Sequence, residues 1–165
     1  MHGGNRCIGV ARKTLEEFSQ VHGSLPPPIP IEKIAEWLDF QVVILSTVDD
    51  ACSALVSTRD RLIGINAKHH RHRQRFSLGH EIGHILLKHP PERRCNRKQI
   101  ADFNAEADLF ASEMLMPHLL LQTWLKKIRN PAALARVFDV SEEAMSVKLR
   151  RLKLYFHGEP GRQHH

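Results

Sequence analysis

The pentapeptide His80-Glu81-Ile82-Gly83-His84 constrains this chain more than any other stretch of it. On a helix, histidines at i and i+4 stand one above the other, so their imidazoles can converge on one metal ion. Glu81 then projects about 100° around the helix, beside that point, where a carboxylate can take a proton from bound water. With His80 set at zero, Leu78, Ile82, Ile85 and Leu86 fall roughly 140–240° away, opposite the histidine pair. Phe76 and Leu87 flank the histidines, while Gly79 and Gly83 leave room beside them. A helix apolar on its back and around its polar face is central and buried. Histidines there need a partner, and a metal is the natural one. The competing reading is a pair of core histidines satisfied by hydrogen bonds alone.

A zinc site with one open position needs a third protein ligand. The next predicted helix, Gln99–Met116, carries Asp102, Glu106 and Glu113 within about 40° of one another, an acidic stripe with Phe103 and Phe110 beside it. The plainer explanation for Asp102 and Glu113 is an exposed face pairing with basic residues. Spacing alone does not choose among the three.

The rest of the chain supplies the setting. Its 165 residues suit a single domain, and 42% apolar with 25% charged residues excludes wholesale disorder. No run of about 18 apolar residues exists, which excludes a transmembrane helix. The N-terminus lacks the apolar stretch of a signal peptide, so a cytoplasmic location is expected. Three scattered cysteines, Cys7, Cys52 and Cys95, form no disulfide framework and no paired zinc spacing. The 12 histidines stand well above ordinary usage, although His164 and His165 read equally as a tag remnant or a natural tail. A net charge of +6 admits an anionic partner such as nucleic acid.

Residues 9–22 have helical apolar spacing, ended by Gly23, and Ile31, Ile34, Ala35 and Leu38 define a second helix after Pro30. Three short β-branched runs follow, at 41–45, 52–57 and 62–66, which predict a small antiparallel meander. Beyond Asn66 the pattern is helical, punctuated by Pro90-Pro91, Pro117 and Pro131, giving an α+β order. The basic stretch Lys68-His69-His70-Arg71-His72-Arg73-Gln74-Arg75 reads as the solvated start of the central helix, or as a surface that steers acidic partners. Residues 131–155 have the apolar spacing of a helix-turn-helix, with Ser141 as N-cap of its second helix and Lys148, Arg150, Arg151 and Lys153 at the basic end.

Arg75-Phe76-Ser77-Leu78-Gly79-His80-Glu81-Ile82-Gly83-His84-Ile85-Leu86-Leu87, followed by Glu106-Ala107-Asp108-Leu109-Phe110-Ala111-Ser112-Glu113-Met114-Leu115-Met116-Pro117, resembles the ImmA/IrrE family of zinc metallopeptidases. Asp108 stands where that family usually has Asn, and Gly79 where Ala is common. Residues 30–35 and 140–145 also look like its flanking segments, so the resemblance spans about residues 25–155.

The resemblance implies a zincin-like domain, with the small sheet packed on a central HExxH helix and a helical C-terminal part. Residues 1–128 would form the catalytic core, 129–156 the helix-turn-helix-like segment and 157–165 a flexible tail. It implies one zinc ion per chain held by His80, His84 and Glu106, with Glu81 as general base. Asp102 would then support the site and Glu113 would serve in structure or ion pairing. The implied partner is a helix-turn-helix repressor or antitoxin encoded nearby, which the enzyme cleaves. Oxyanion stabilisation has only loose candidates in Tyr155, His118, Arg75 and His72. The alternative is a DNA-binding regulator using the C-terminal helix pair, its zinc closed by a fourth ligand such as His89 or Cys95. No membrane role is expected.

Overall fold

Four of the described helices begin where the sequence supplies a side-chain cap, at His70, Asn96, Asn130 and Ser141, and two begin behind a proline, Pro30 and Pro117. The computed structural model describes residues 3–46 and 48–154. Helix α1 spans Gly3–His22 and stops at Gly23, whose φ of +86° suits glycine. It starts earlier than residue 9 because Cys7 and Ala11 extend the buried stripe of Leu15 and Phe18 by one more turn. Helix α2 covers Ile31–Trp37 behind Pro30. After the sheet come α3 (Arg71–Leu86), a 3₁₀ turn (Glu92–Arg94) and α4 (Arg97–Leu115). Helices α5 (His118–Leu125), α6 (Pro131–Phe138) and α7 (Glu142–Arg151) follow. A capping box formed by Asn96 and Gln99 opens α4, and Asn130 caps α6 with Pro131 in its first turn. Ser141 caps α7 by accepting from the Ala144 amide at 3.0 Å, as the sequence predicts.

Strands β1 (Gln41–Leu45), β2 (Ala54–Ser57) and β3 (Leu62–Asn66) form a sheet ordered β1-β3-β2. It is mixed rather than an antiparallel meander: β2 runs antiparallel to β3, but β1 runs parallel to it. The reason lies in burial. In β3, Ile63, Gly64, Ile65 and Asn66 are all buried, so this strand takes the centre, and the half-exposed β1 and β2 take the edges. Asn66 fixes the arrangement by donating to the carbonyls of Asp49 (3.1 Å) and Cys52 (2.7 Å) in the β1–β2 connection.

Helix α3 packs against β3, β2, α1 and α2, and most extensively against α4. Their closest approach is at two glycines. A Cβ at Gly79 would lie 3.2 Å from the Ala111 Cβ, and one at Gly83 would lie 3.0 Å from a Phe110 ring carbon. With Leu78 and Ile82 on its buried back, α3 is the central helix its pattern predicts.

The basic stretch that opens α3 is not simply solvated. Arg75 is buried and donates to the carbonyls of Ile29 (2.9 Å) and Asp139 (3.1 Å). Arg71 and His72 reach the Asp139 carboxylate at 2.7 and 3.2 Å. Asp139 occupies the left-handed turn between α6 and α7, at φ 52°, so this cluster ties the helix pair to the start of α3. A second tie is buried. Lys148 Nζ lies 2.5 Å from Glu113 Oε2, and Arg12 Nε donates to Glu113 Oε1 at 2.9 Å. Among the described residues no helix is long and apolar enough to cross a membrane. Tyr155 and the segment 157–165 lie outside the described residues.

Candidate metal centre

Helix α3 presents the His80 and His84 rings side by side, as i,i+4 spacing requires, with centroids 4.6 Å apart. Their Nε2 atoms face each other at 2.9 Å. Each ring is held on its other nitrogen. His80 Nδ1 lies 2.7 Å from Asp108 Oδ1, and His84 Nδ1 lies 2.9 Å from His89 Nδ1. His89 is itself fixed: its Nε2 meets Glu106 Oε2 at 3.0 Å and its ring stacks on Phe103. The result is a chain of contacts running Asp108–His80–His84–His89–Glu106. Outer partners of this kind set the tautomer and aim of a ligating imidazole.

One oxygen reaches the point shared by the two Nε2 atoms. Asn104 Oδ1 lies 3.1 Å from His84 Nε2. Glu106, the carboxylate implied as third ligand, does not join them. Asn104 and Asp108 are separated by one turn of α4 and share a side, whereas Glu106 lies roughly 200° around the helix from Asn104. Among the described residues, no three His, Cys, Asp or Glu side chains are gathered to hold a metal. What the structure gathers is two imidazoles and a carboxamide. The imidazoles fit a zinc ion well, since neutral ring nitrogens aimed at one point are its ordinary donors.

Electrostatics agree with that fit at His84. Burial, reinforced by the neighbouring His80 and His89, lowers its pKa to about 4, so the ring is neutral at ordinary pH. Burial also acts on His80, but the hydrogen bond and charge of Asp108, helped by Glu81, outweigh it and raise its pKa. Burial raises the Glu81 carboxyl, and His80 offsets part of the rise. A raised carboxyl is better able to accept a proton near neutral pH.

The other residues marked by the sequence fall elsewhere. Asp102 is exposed, and Glu113 serves the buried ion pair. Arg75 and His72 engage Asp139, which takes them out of oxyanion duty. The His118 amide donates to Glu113, and its Nδ1 is a buried atom with no hydrogen-bond partner. The Cys95 thiol turns to the Pro91 carbonyl, 3.5 Å away. Sequence reasoning passed over Asn104, noted Asp108 only as a departure from the family pattern, and named His89 only as a possible fourth ligand. The signal for the first two was their i,i+4 spacing on the side of α4 away from the acidic stripe.

A cavity of about 490 Å³ opens beside the cluster and shares Asp108 as a wall. Phe76, Met116, Ala144 and Val147 supply its apolar lining, with Arg73 and Arg151 among its polar groups.

The sequence pattern of a peptidase family, described as the IrrE N-terminal-like domain, matches residues 36–150. The chain belongs to this family. No curated protein matches it significantly. Among solved structures, a Mycobacterium tuberculosis transcriptional regulator superposes with a TM-score of 0.66 at 13% identity. That match covers 86% of this chain and 46% of the regulator, so this chain spans less than half of that protein. At such identity the likeness is one of fold, and the family match is what ties the α3 pentapeptide to peptidases.

Proposed function

We propose that the protein is a cytoplasmic zinc-dependent endopeptidase that cleaves a specific partner, a helix-turn-helix repressor or antitoxin. The observation that carries this reading is the pair of opposed Nε2 atoms on α3 with Glu81 beside them, in a chain of a peptidase family. His80 and His84 would hold the ion. When bound, zinc supplies a Lewis acid that activates water and polarises the scissile carbonyl. Glu81 accepts the proton of the attacking water on its carboxylate and passes it to the departing amine nitrogen. Asp108 and His89 hold the two imidazoles in line by accepting or sharing protons at their Nδ1 atoms. The adjoining cavity offers an apolar side chain of the substrate a place to lie.

The test is co-incubation with the repressor encoded nearby, with zinc and chelator controls and mass spectrometry of the fragments. Glu81→Gln is expected to abolish cleavage while zinc content stays at that of the wild type. Undiminished cleavage by that variant would reject the mechanism.

The DNA-binding alternative is less well supported. Lys148, one of the four basic residues at the end of the helix pair, is buried against Glu113. The first turn of α7, where a recognition helix meets base edges, carries Glu142 and Glu143.

A further inference from the structure

The two faces of α4 divide the polar groups around the histidines. Asn104 and Asp108 lie on one face, against His80 and the Nε2 side of His84. Glu106 lies on the other, where the His89 imidazole separates it from His84. His89 has a side-chain exposure of only 3%, and Phe103 stacks on its ring at 4.5 Å, so it is locked between the two groups. Each metal-facing histidine therefore has a carboxylate behind it, directly at His80 and through one imidazole at His84. Both Nε2 atoms remain free to share one point, and the oxygen that approaches this point is Asn104 Oδ1.

We propose that Asn104 is the third protein donor of the metal site, through its carboxamide oxygen, and that Glu106 is a positioning residue acting on His84 through His89. This rests on the reading above that His80 and His84 bind zinc. Its consequence is chemical. The protein donors of zinc are ordinarily thiolate, imidazole and carboxylate. A neutral carboxamide in the third position leaves the donor set without a negative charge, so the ion is held less tightly than by two histidines and a carboxylate. An isosteric carboxylate at 104 should strengthen the site.

The test measures zinc affinity of the full chain by competition with a chromophoric chelator, alongside the visible spectrum of the cobalt-loaded protein. Asn104→Asp preserves size and is expected to tighten zinc by about tenfold or more and to shift the cobalt bands. Glu106→Gln retains an acceptor for His89 and is expected to leave affinity within about threefold and the bands in place, since an outer partner is conserved in kind. Glu106→Ala and His89→Ala should each loosen zinc by about tenfold or more, and the double variant should be no worse than His89→Ala. Circular dichroism checks that every variant is folded. An unchanged affinity in Asn104→Asp, or binding lost in Glu106→Gln, overturns the assignment. A wild type that takes up no zinc also overturns it, even if Asn104→Asp gains binding, because the carboxamide would then not be serving as a donor. The underlying reading is tested apart, by His84→Ala. Binding that survives that change rejects the histidine site and this assignment with it, whereas binding lost both there and in Glu106→Gln rejects this assignment alone.

Discussion

At the scale of single residues, the partner at each ring nitrogen decides what a histidine can do. Asp108 lies 2.7 Å from His80 Nδ1, and by accepting there it would leave Nε2 unprotonated and available to a metal. Asp108→Ala removes that acceptor and frees the ring to rotate. Zinc affinity is expected to fall about 10–100-fold, read by chelator competition, with far-UV circular dichroism unchanged. The sequence announced His80, Glu81 and His84 because their roles depend on spacing along one helix, which is a local property. It did not announce Asn104, or the place of His89 between His84 and Glu106, because these depend on which side of α4 meets α3 and on how the chain turns after Leu87. The acidic stripe lies on a different side of α4 from the pair that meets His80 and His84, for the same reason. Three carboxylates share a face, but the packing of Phe110 and Ala111 against Gly83 and Gly79 turns Asn104 and Asp108 toward the histidines.

Between elements, the distance from α3 to α4 sets the reach of every α4 side chain to the histidines. Gly83 is the tightest point, with Phe110 Cβ, Cγ and Cδ1 all within 3.2 Å of where a Cβ would sit. Alanine favours a helix over glycine by about 1 kcal/mol, so Gly83→Ala would stabilise an open site. Here Phe110 is fully buried and has nowhere to move. Overpacking of this kind costs roughly 1–3 kcal/mol, so the clash outweighs the propensity and a net loss is expected in urea unfolding. Zinc affinity should fall as well, since α4 carries Asn104 and Asp108. By contrast, Gly79 faces the single methyl of Ala111, and Gly79→Ala should be better tolerated. The boundaries of β1 and β3 were legible in their β-branched runs, and those of α6 and α7 in Pro131 and Ser141. The parallel pairing of β1 with β3 was not legible. Strand runs reveal which residues are extended, whereas pairing order follows from which strand can be buried on both faces.

On the scale of the whole molecule, Glu113 joins α4 to α7 through Lys148 and to α1 through Arg12. Nothing in the sequence distinguishes this buried pair from the ordinary surface pairing its composition suggests, because the partners are 35 and 101 residues away. Breaking a buried pair strands the remaining charge and costs about 3–5 kcal/mol. Lys148→Met leaves Glu113 with Arg12 alone, so it is expected to lower unfolding free energy by the lower end of that range, about 3 kcal/mol. Lys148→Met combined with Glu113→Leu should recover much of the loss, because no charge is then left buried. Acid supplies an independent check. Burial would raise the Glu113 carboxyl, but Lys148 and Arg12 outweigh it and hold it below its ordinary value. A carboxyl depressed in the folded state binds its proton more readily in the unfolded chain. Its contribution is then complete above the unfolded value, about pH 4.3, and is lost as pH falls through the folded value. The stability difference between wild type and Glu113→Gln should stay constant from about pH 7 to pH 5 and shrink below about pH 4.3. A difference that instead vanished near neutrality would mean that the ion pair does not hold α7 to α4.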